Sequence, residues 1–363
     1  MTEPARTHST ETAADARGGI LRFGSDYMEG AHPEVLQRLV ETNFEQSPGY
    51  GTDARSKHAA DLIREACENP SAEVVFLSGG TQANATIIDC LLMPWQGVIA
   101  PTTGHIAVHE AGIIERDGHK VLTVLAVDGK IDAAGIEAVA SQWNEDANRD
   151  HMVMPGLVYL SQPTEYGTLY SRAELEAISE VAHGYGMNLF IDGARLAYAL
   201  AAPDNDATLA DLARLADAFT LGGTKCGALF GEAVVLREAG LVPHLTARIK
   251  QHGALFAKGR ILGAQYEALF EDRLYERIGA PAIEAATRIR ATLDELGFEQ
   301  AIPSTTNQTF IVLDRDRATE FGREVEYGFW ENLPDGRVVI RIATCWATRE
   351  AEVDALLEVL RRA

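Results

Sequence analysis

The sequence predicts an α/β chain: a large domain on a mostly parallel sheet flanked by helices, followed by a small C-terminal α+β domain. Two observations predict it. Short apolar runs alternate with helical patterns through most of the chain. Several of those runs are apolar at successive positions, as in strands buried on both faces. The length of 363 residues suits one large domain and one smaller one.

Taken in order, the strand candidates are Val74–Leu77, Val98–Ala100, Val121–Leu125, Leu157–Leu160, Leu189–Ile191, Ala218–Leu221 and Val234–Leu236. Between the fourth and fifth, Ser171 with Glu174 gives a capping-box pattern, and Leu175, Ile178 and Ala182 continue an apolar helical face. Gly184 and Gly186 can stop that helix. Ala257–Leu274 reads as a long helix. The pattern then changes: a helix near 280–297, strands at Thr309–Leu313 and Val338–Ile342, and an amphipathic helix at Glu350–Arg361. Residues 1–18 read as a disordered tail, 19–260 as the large domain with an N-terminal arm, and 261–363 as the small domain.

Charge and cysteine usage narrow the function. With 53 acidic against 32 basic side chains the formal net charge is −21, a surface that repels nucleic acid and anionic lipid. Cys67, Cys90, Cys226 and Cys345 form no C-x-x-C pair, and the histidines near them lack zinc-ligand spacing. They read as free thiols in a reducing compartment, with no metal site. No apolar run reaches a membrane-spanning length and no signal peptide is evident, so a soluble cytoplasmic protein is expected.

Three motifs carry chemistry. In EVVFLSGGTQANATII a strand runs into Ser78, Gly79, Gly80 and Thr81 before a helix. Glycines there let backbone N–H groups approach an anion at the helix N-terminus, although a plain strand-to-helix turn looks the same. In LFIDGARL a buried strand ends on Asp192, with Arg195 close behind. A carboxylate at that end of a parallel strand lies where ligands bind, or else caps a helix or pairs with the arginine. In FTLGGTKCGALFG, Lys225 stands among glycines and apolar residues. A desolvated lysine attacks carbonyls, and a loop lysine binding phosphate is the alternative. The order decides between them. An anion cup, an acid after one strand and a lysine after a later strand, 33 residues on, place both side chains on one sheet edge. The reading is that Lys225 carries pyridoxal phosphate as a Schiff base, with Asp192 facing the pyridine nitrogen.

Other candidates surround this constellation. His105 follows a strand and precedes a helical pattern, where a flat imidazole can stack on the pyridine ring. His109 is a surface or core histidine, and His151 stands just before another strand, where an ordinary loop histidine is the plainer reading. Arg341 lies inside the apolar strand VVIRIAT. Its guanidinium fork fits a substrate carboxylate or a structural salt bridge equally well.

FGSDYMEGAHPEV, SPGYGTDARS, SGGTQAN, GHIAVHE, the IDGAR and GGTK blocks and VIRIAT, in this order, resemble the low-specificity L-threonine aldolases of the β-eliminating lyase group from about residue 21 to the end. The resemblance implies a PLP-dependent transferase-like (fold type I) architecture. It implies Gly80 and Thr81 as the phosphate cup, His105 as the ring-stacking residue, Asp192, Arg195 and Lys225 as cofactor-binding residues, and Ser25, Arg195 and Arg341 as the holders of the substrate carboxylate. By the same resemblance His151 is a second histidine near the β-hydroxyl. Tyr50 and Asp53 reach toward a neighbouring subunit's site, in a dimer or tetramer. The chain departs from its relatives where it reads SQPTEYG in place of an E-N-T segment, which makes Gln162 and Thr164 candidate substitutes. It departs again in ARIKQHGALFAKGR, whose Arg248, Lys250 and Lys258 do not align with the relatives' cross-subunit phosphate ligands. The implied reaction is retro-aldol cleavage of β-hydroxy-α-amino acids, with Lys225, His105 and His151 as catalytic residues. β-Elimination, transamination, a phosphorylated-ligand-binding protein without catalysis and a catalytically silent oligomer are the alternatives.

Overall fold

A computed structural model describes residues 19–362; the tail expected over residues 1–18 lies outside the described residues. The strands are β1 (Leu21–Arg22), β2 (Glu73–Leu77), β3 (Gln96–Pro101), β4 (Val121–Val124), β5 (Met154–Ser161), β6 (Asn188–Asp192), β7 (Ala218–Gly222), β8 (Glu232–Leu236), β9 (Gln308–Leu313), β10 (Val325–Glu326), β11 (Gly328–Asn332) and β12 (Val338–Ala343). Seven form the main sheet in the order β2-β8-β7-β6-β5-β3-β4. β8 runs antiparallel to both its neighbours, β2 and β7, and the remaining pairings are parallel. Every strand run expected in the large domain is present.

The successive apolar positions have the expected cause. In β5, Leu157 and Tyr159 pack on one side of the sheet, and Val158 and Leu160 on the other. Helices 80–91 and 245–251 cover the first side, and helices 54–66, 133–145, 172–184 and 260–270 cover the second. Ile191, fully buried in β6, is representative: its truncation to alanine removes about 2–5 kcal/mol. The capping box of Ser171 and Glu174 is formed. The long helix expected at 257–274 is interrupted. It runs over Arg260–Phe270, breaks where Asp272 and Arg273 take positive φ, and resumes at Leu274–Arg277.

β9, β12 and β11 make a separate antiparallel sheet. Helices 280–295 and 350–362 pack on one of its faces. On the other face Phe310 and Val339 meet Tyr166 of the large domain. The N-terminal arm belongs to this smaller unit, because β1 pairs with β10 and Phe23 sits in its core. Helix 260–270 packs on the large-domain core, while helix 280–295 contributes Ala282 and Ile283 to that core and Ile289 and Leu293 to the small one. We therefore place the passage between the two domains inside helix 280–295, later than residue 260.

Candidate active site

The parallel strands of the main sheet end on one edge, and antiparallel β8 begins there. Beyond β2 lie Ser78, Gly79 and helix 80–91. Beyond β3 lies His105, and beyond β5 lies Glu165. β6 ends on Asp192, Lys225 follows β7, and Glu232 opens β8. Gly80, His105, Glu165, Asp192, Arg195 and Lys225 line a single cleft. The placement depends on Gly222, where a Cβ would lie 2.4 Å from the Ala194 carbonyl oxygen. Glycine lets the end of β7 lie against the loop after β6, and this brings Lys225 beside Asp192.

Asp192 is a buried carboxylate built to stay ionised. Oδ2 accepts from Asn84 Nδ2 at 2.8 Å and from the Tyr159 hydroxyl at 2.7 Å, and Oδ1 accepts from the Ala194 amide at 2.9 Å. Burial raises its pKa, but these donors and the nearby charges of His105 and Lys225 bring it below the usual carboxylate value. Lys225 has the opposite setting. Burial and then the Arg195 charge pull its pKa down. Its carbonyl accepts from Tyr198 at 2.5 Å, and its Nζ makes no hydrogen bond or ion pair with any described residue.

His105 is half-exposed, and its Nδ1 lies 2.7 Å from Oε1 of the enclosed Glu110. Burial lowers its pKa, but the Glu110 hydrogen bond and the Asp192 charge outweigh this and leave it above the ordinary value. Asn84 Nδ2 also donates to Glu110 at 2.8 Å, so a single amide joins the carboxylate behind His105 to Asp192. Glu165 Oε1 accepts from the His105 amide at 2.8 Å and from Ser161 Oγ at 2.7 Å. Burial pushes its carboxyl pKa up.

The carboxylate-binding candidates gather at the domain junction. Arg341 donates through Nη1 to Gln308 at 3.1 Å and through Nη2 to the Gly24 carbonyl at 2.9 Å, and its guanidinium lies 5.5 Å from the Trp330 ring centre. Its buried Nε and the buried Ser25 Oγ have no partner. Arg195 is partly committed elsewhere: Nε and Nη2 grip Asp26 at 2.6 and 3.0 Å. The Asp–Arg pair considered for Arg195 thus exists, with Asp26 in place of Asp192.

The remaining candidates lie outside this cleft in the chain itself or hold local contacts. His151 is exposed and precedes β5. It therefore lies at the opposite edge of the sheet from the cleft, a strand length of about 25 Å away, and joins no site within its own chain. Asp53 caps helix 54–66, accepting from the Ser56 amide at 2.9 Å and Ser56 Oγ at 2.8 Å, so its carboxylate is used locally. Tyr50 points outward beneath the Lys250 ammonium, 4.8 Å from the ring centre. Gln162 is tied to Tyr170, Thr164 shares a turn with Thr168, and it is Glu165 of that segment that reaches the cleft. Arg248 is bound to Asp89 of its own chain at 2.9 Å. Thr81 is exposed at the helix start, where Gly80 lines the cleft.

Among the described residues one group, His58, Glu267 and Glu271, is close enough to hold a metal. Arg38 and Arg55 already pair with Glu267, and Arg38 also pairs with Glu271. Cationic side chains thus occupy that position. The four cysteines are free and buried.

A buried lysine with an open amine, an ionised aspartate and a glycine turn at a helix start share the carboxyl edge of an open α/β sheet, an arrangement that suits a carbonyl cofactor. The known proteins agree. The family described as Beta-eliminating lyase matches residues 23–316. The low-specificity L-threonine aldolase of Pseudomonas sp. strain NCIMB 10558 is 32% identical over 345 residues, 94% of this chain and 97% of that one. The structure of Leishmania major threonine aldolase superposes with a TM-score of 0.90 at 44% identity, covering 94% of this chain and 98% of that one. Thermus thermophilus aspartate aminotransferase shares the fold, with a TM-score of 0.68 at 15% identity over 94% of this chain and 91% of that one. The chain belongs to the β-eliminating lyase family. Its fold is type I of the pyridoxal-phosphate enzymes, and pyridoxal 5'-phosphate is its cofactor. The residues fit that group: Lys225 Nζ is open, Asp192 is held as an anion, and the Gly79–Gly80 turn starts a helix of 12 residues.

Proposed function

We propose that the protein is a lyase that cleaves β-hydroxy-α-amino acids, threonine and allo-threonine among them, to glycine and an aldehyde. The observation that carries this is His105: its Nδ1 is held by Glu110 while its other ring nitrogen remains open, on the same cleft as Lys225 and Asp192. The bound cofactor supplies an electron sink for the pair left on the substrate Cα. Lys225 would hold the cofactor through its open amine, and the lowered lysine pKa keeps more of that amine in its nucleophilic form. Asp192, held as an anion, would keep the cofactor's ring nitrogen protonated. Ser25 Oγ and Arg341 Nε hold the substrate carboxylate and so fix which bond at Cα faces the sink. His105 takes the β-hydroxyl proton. As the O–H pair becomes the second C–O bond, the Cα–Cβ bond breaks, the aldehyde leaves, and Cα then takes a proton.

Two coarser features support an assembly and a compartment. Leu36, Val40 and Phe44 are exposed apolar residues on and just beyond helix 33–41; they favour a homo-oligomer, a dimer or tetramer, in which Tyr50 faces a neighbour. No described helix is long and apolar enough to cross a membrane, and four buried thiols suit the reducing cytoplasm.

The test pairs a visible absorbance scan with aldehyde release from L-threonine, on wild type and on Lys225→Ala. The reading expects a band and aldehyde in wild type and neither in the variant. A band with pyruvate but no aldehyde would move the function to β-elimination.

A further inference from the structure

Glu232 has no place in the scheme above, yet it sits inside the cofactor edge. It is the first residue of β8, in register between Leu77 at the end of β2 and Gly222 at the end of β7. It is 3% exposed. Its Oε2 is buried without a partner, and no described residue hydrogen-bonds to either carboxyl oxygen. Oε1 lies 3.9 Å from where a Cβ on Gly80 would be, so the carboxyl faces the start of helix 80–91.

A buried carboxyl group with one oxygen enclosed and unsatisfied, and no protein partner for the other, is costly unless a ligand completes it. Two completions are open. An ionised Glu232 would pair with the Lys225 ammonium, but no ion pair joins them, and the lysine amine is the group that anchors the cofactor. An ionised Glu232 would also repel an anion seated at the Gly79–Gly80 turn. A neutral Glu232 has an O–H to donate to that same anion. Burial, followed by the neighbouring Asp192 charge, drives the carboxyl in that direction, well above its usual value.

We propose that Glu232 is a cofactor-phosphate ligand: a protonated carboxylic acid that donates a hydrogen bond to the phosphate held at the Gly79–Gly80 turn. The inference rests on the pyridoxal-phosphate reading of the site. It differs from the usual expectation for a phosphate cup, in which backbone amides and cations supply the contacts.

The test measures the dissociation constants of pyridoxal phosphate and of pyridoxal, which lacks the phosphate, from resolved wild type, Glu232→Gln and Glu232→Ala, by equilibrium dialysis with circular dichroism as the check on folding. Glutamine retains a neutral N–H donor and alanine does not. The expected result is pyridoxal phosphate affinity within about threefold of wild type for Glu232→Gln, and weakened roughly tenfold or more for Glu232→Ala. Pyridoxal affinity should be unchanged in both. Equal losses in the two variants would overturn the neutral-donor assignment. An alanine variant that binds like wild type, or that loses pyridoxal as well, would overturn the phosphate contact. Failure of wild type itself to take up pyridoxal phosphate would instead bring down the cofactor reading, and this inference with it.

Discussion

Glu110 holds His105 by its Nδ1 at 2.7 Å, and the glutamate side chain is completely enclosed. The bond fixes which ring nitrogen carries the proton and leaves the other as an acceptor. It also raises the imidazole pKa against the opposing effect of burial. Glu110→Gln removes the charge and keeps the shape. His105 then loses its proton at lower pH, so the acid limb of kcat/KM for threonine cleavage should move to lower pH. The plateau should fall by roughly tenfold or more, because the productive tautomer is no longer enforced. A pH–rate profile checks both, and an unshifted acid limb would show that His105 is not the titrating base.

Arg341 and Ser25 each carry a buried donor without a partner, Nε and Oγ. Arg341 is held in place by Gln308, Gly24 and the face of Trp330, so it is already ordered for a carboxylate. Arg341→Ala should raise KM for the amino acid roughly tenfold to a hundredfold while the cofactor's visible band stays intact. Titration of the variant with glycine, followed by absorbance, separates lost substrate binding from lost cofactor.

The strands of the main sheet, Asp192 and Lys225 were legible because each has a local signature, whereas the short strands β1, β10 and β11 were not read. Consecutive apolar residues in β5 and β6 reflect burial on both faces, and Asp192 and Lys225 stand where such runs stop. The carboxylates behind them were not legible. Glu110 lies inside GHIAVHE and Glu165 inside SQPTEYG, with nothing in their spacing to mark them as buried. Glu232 joins the site only because β8 runs antiparallel, so its first residue lies at the edge where the other strands finish. A sequence shows that a residue adjoins a strand, but the strand's direction and order decide at which edge it lies. His151 illustrates this, since it precedes β5 and the site lies beyond the end of that strand.

Asp26 and Arg195 form a two-bond ion pair, with the carboxylate fully enclosed and the Asn307 amide donating a third bond at 2.9 Å. Burial opposes the Asp26 charge, but the guanidinium overrides it and holds the carboxyl far below the usual carboxylate range. A depressed carboxylate contributes stability that is fully present above its unfolded pKa, about 4, and is lost as pH falls toward the folded value. Asp26→Ala leaves the Arg195 charge buried and alone, and should destabilise the protein at neutral pH by about 3–5 kcal/mol. The variant should also lose part of the wild type's decline in stability below pH ~4. Urea unfolding at neutral and acid pH measures both. A loss at neutral pH with an unchanged acid decline would assign the pair a packing role without the linkage.

His151 provides a test of the opposite kind. It is exposed, ends a short 3-10 turn, and is separated from the cleft by the whole of β5. Proton transfer requires hydrogen-bond contact or one intervening water, and about 25 Å permits neither. His151→Ala should therefore leave kcat for threonine within about twofold of wild type, whereas His105→Ala should lower it roughly a hundredfold or more. The two variants, assayed side by side for aldehyde release, decide which histidine is the base. A comparable loss in His151→Ala would require a neighbouring subunit to bring its own His151 to this cleft. That would show up as recovery of activity when inactive Lys225→Ala and His151→Ala chains are mixed and reassembled, because the hybrid would hold one site with both residues intact.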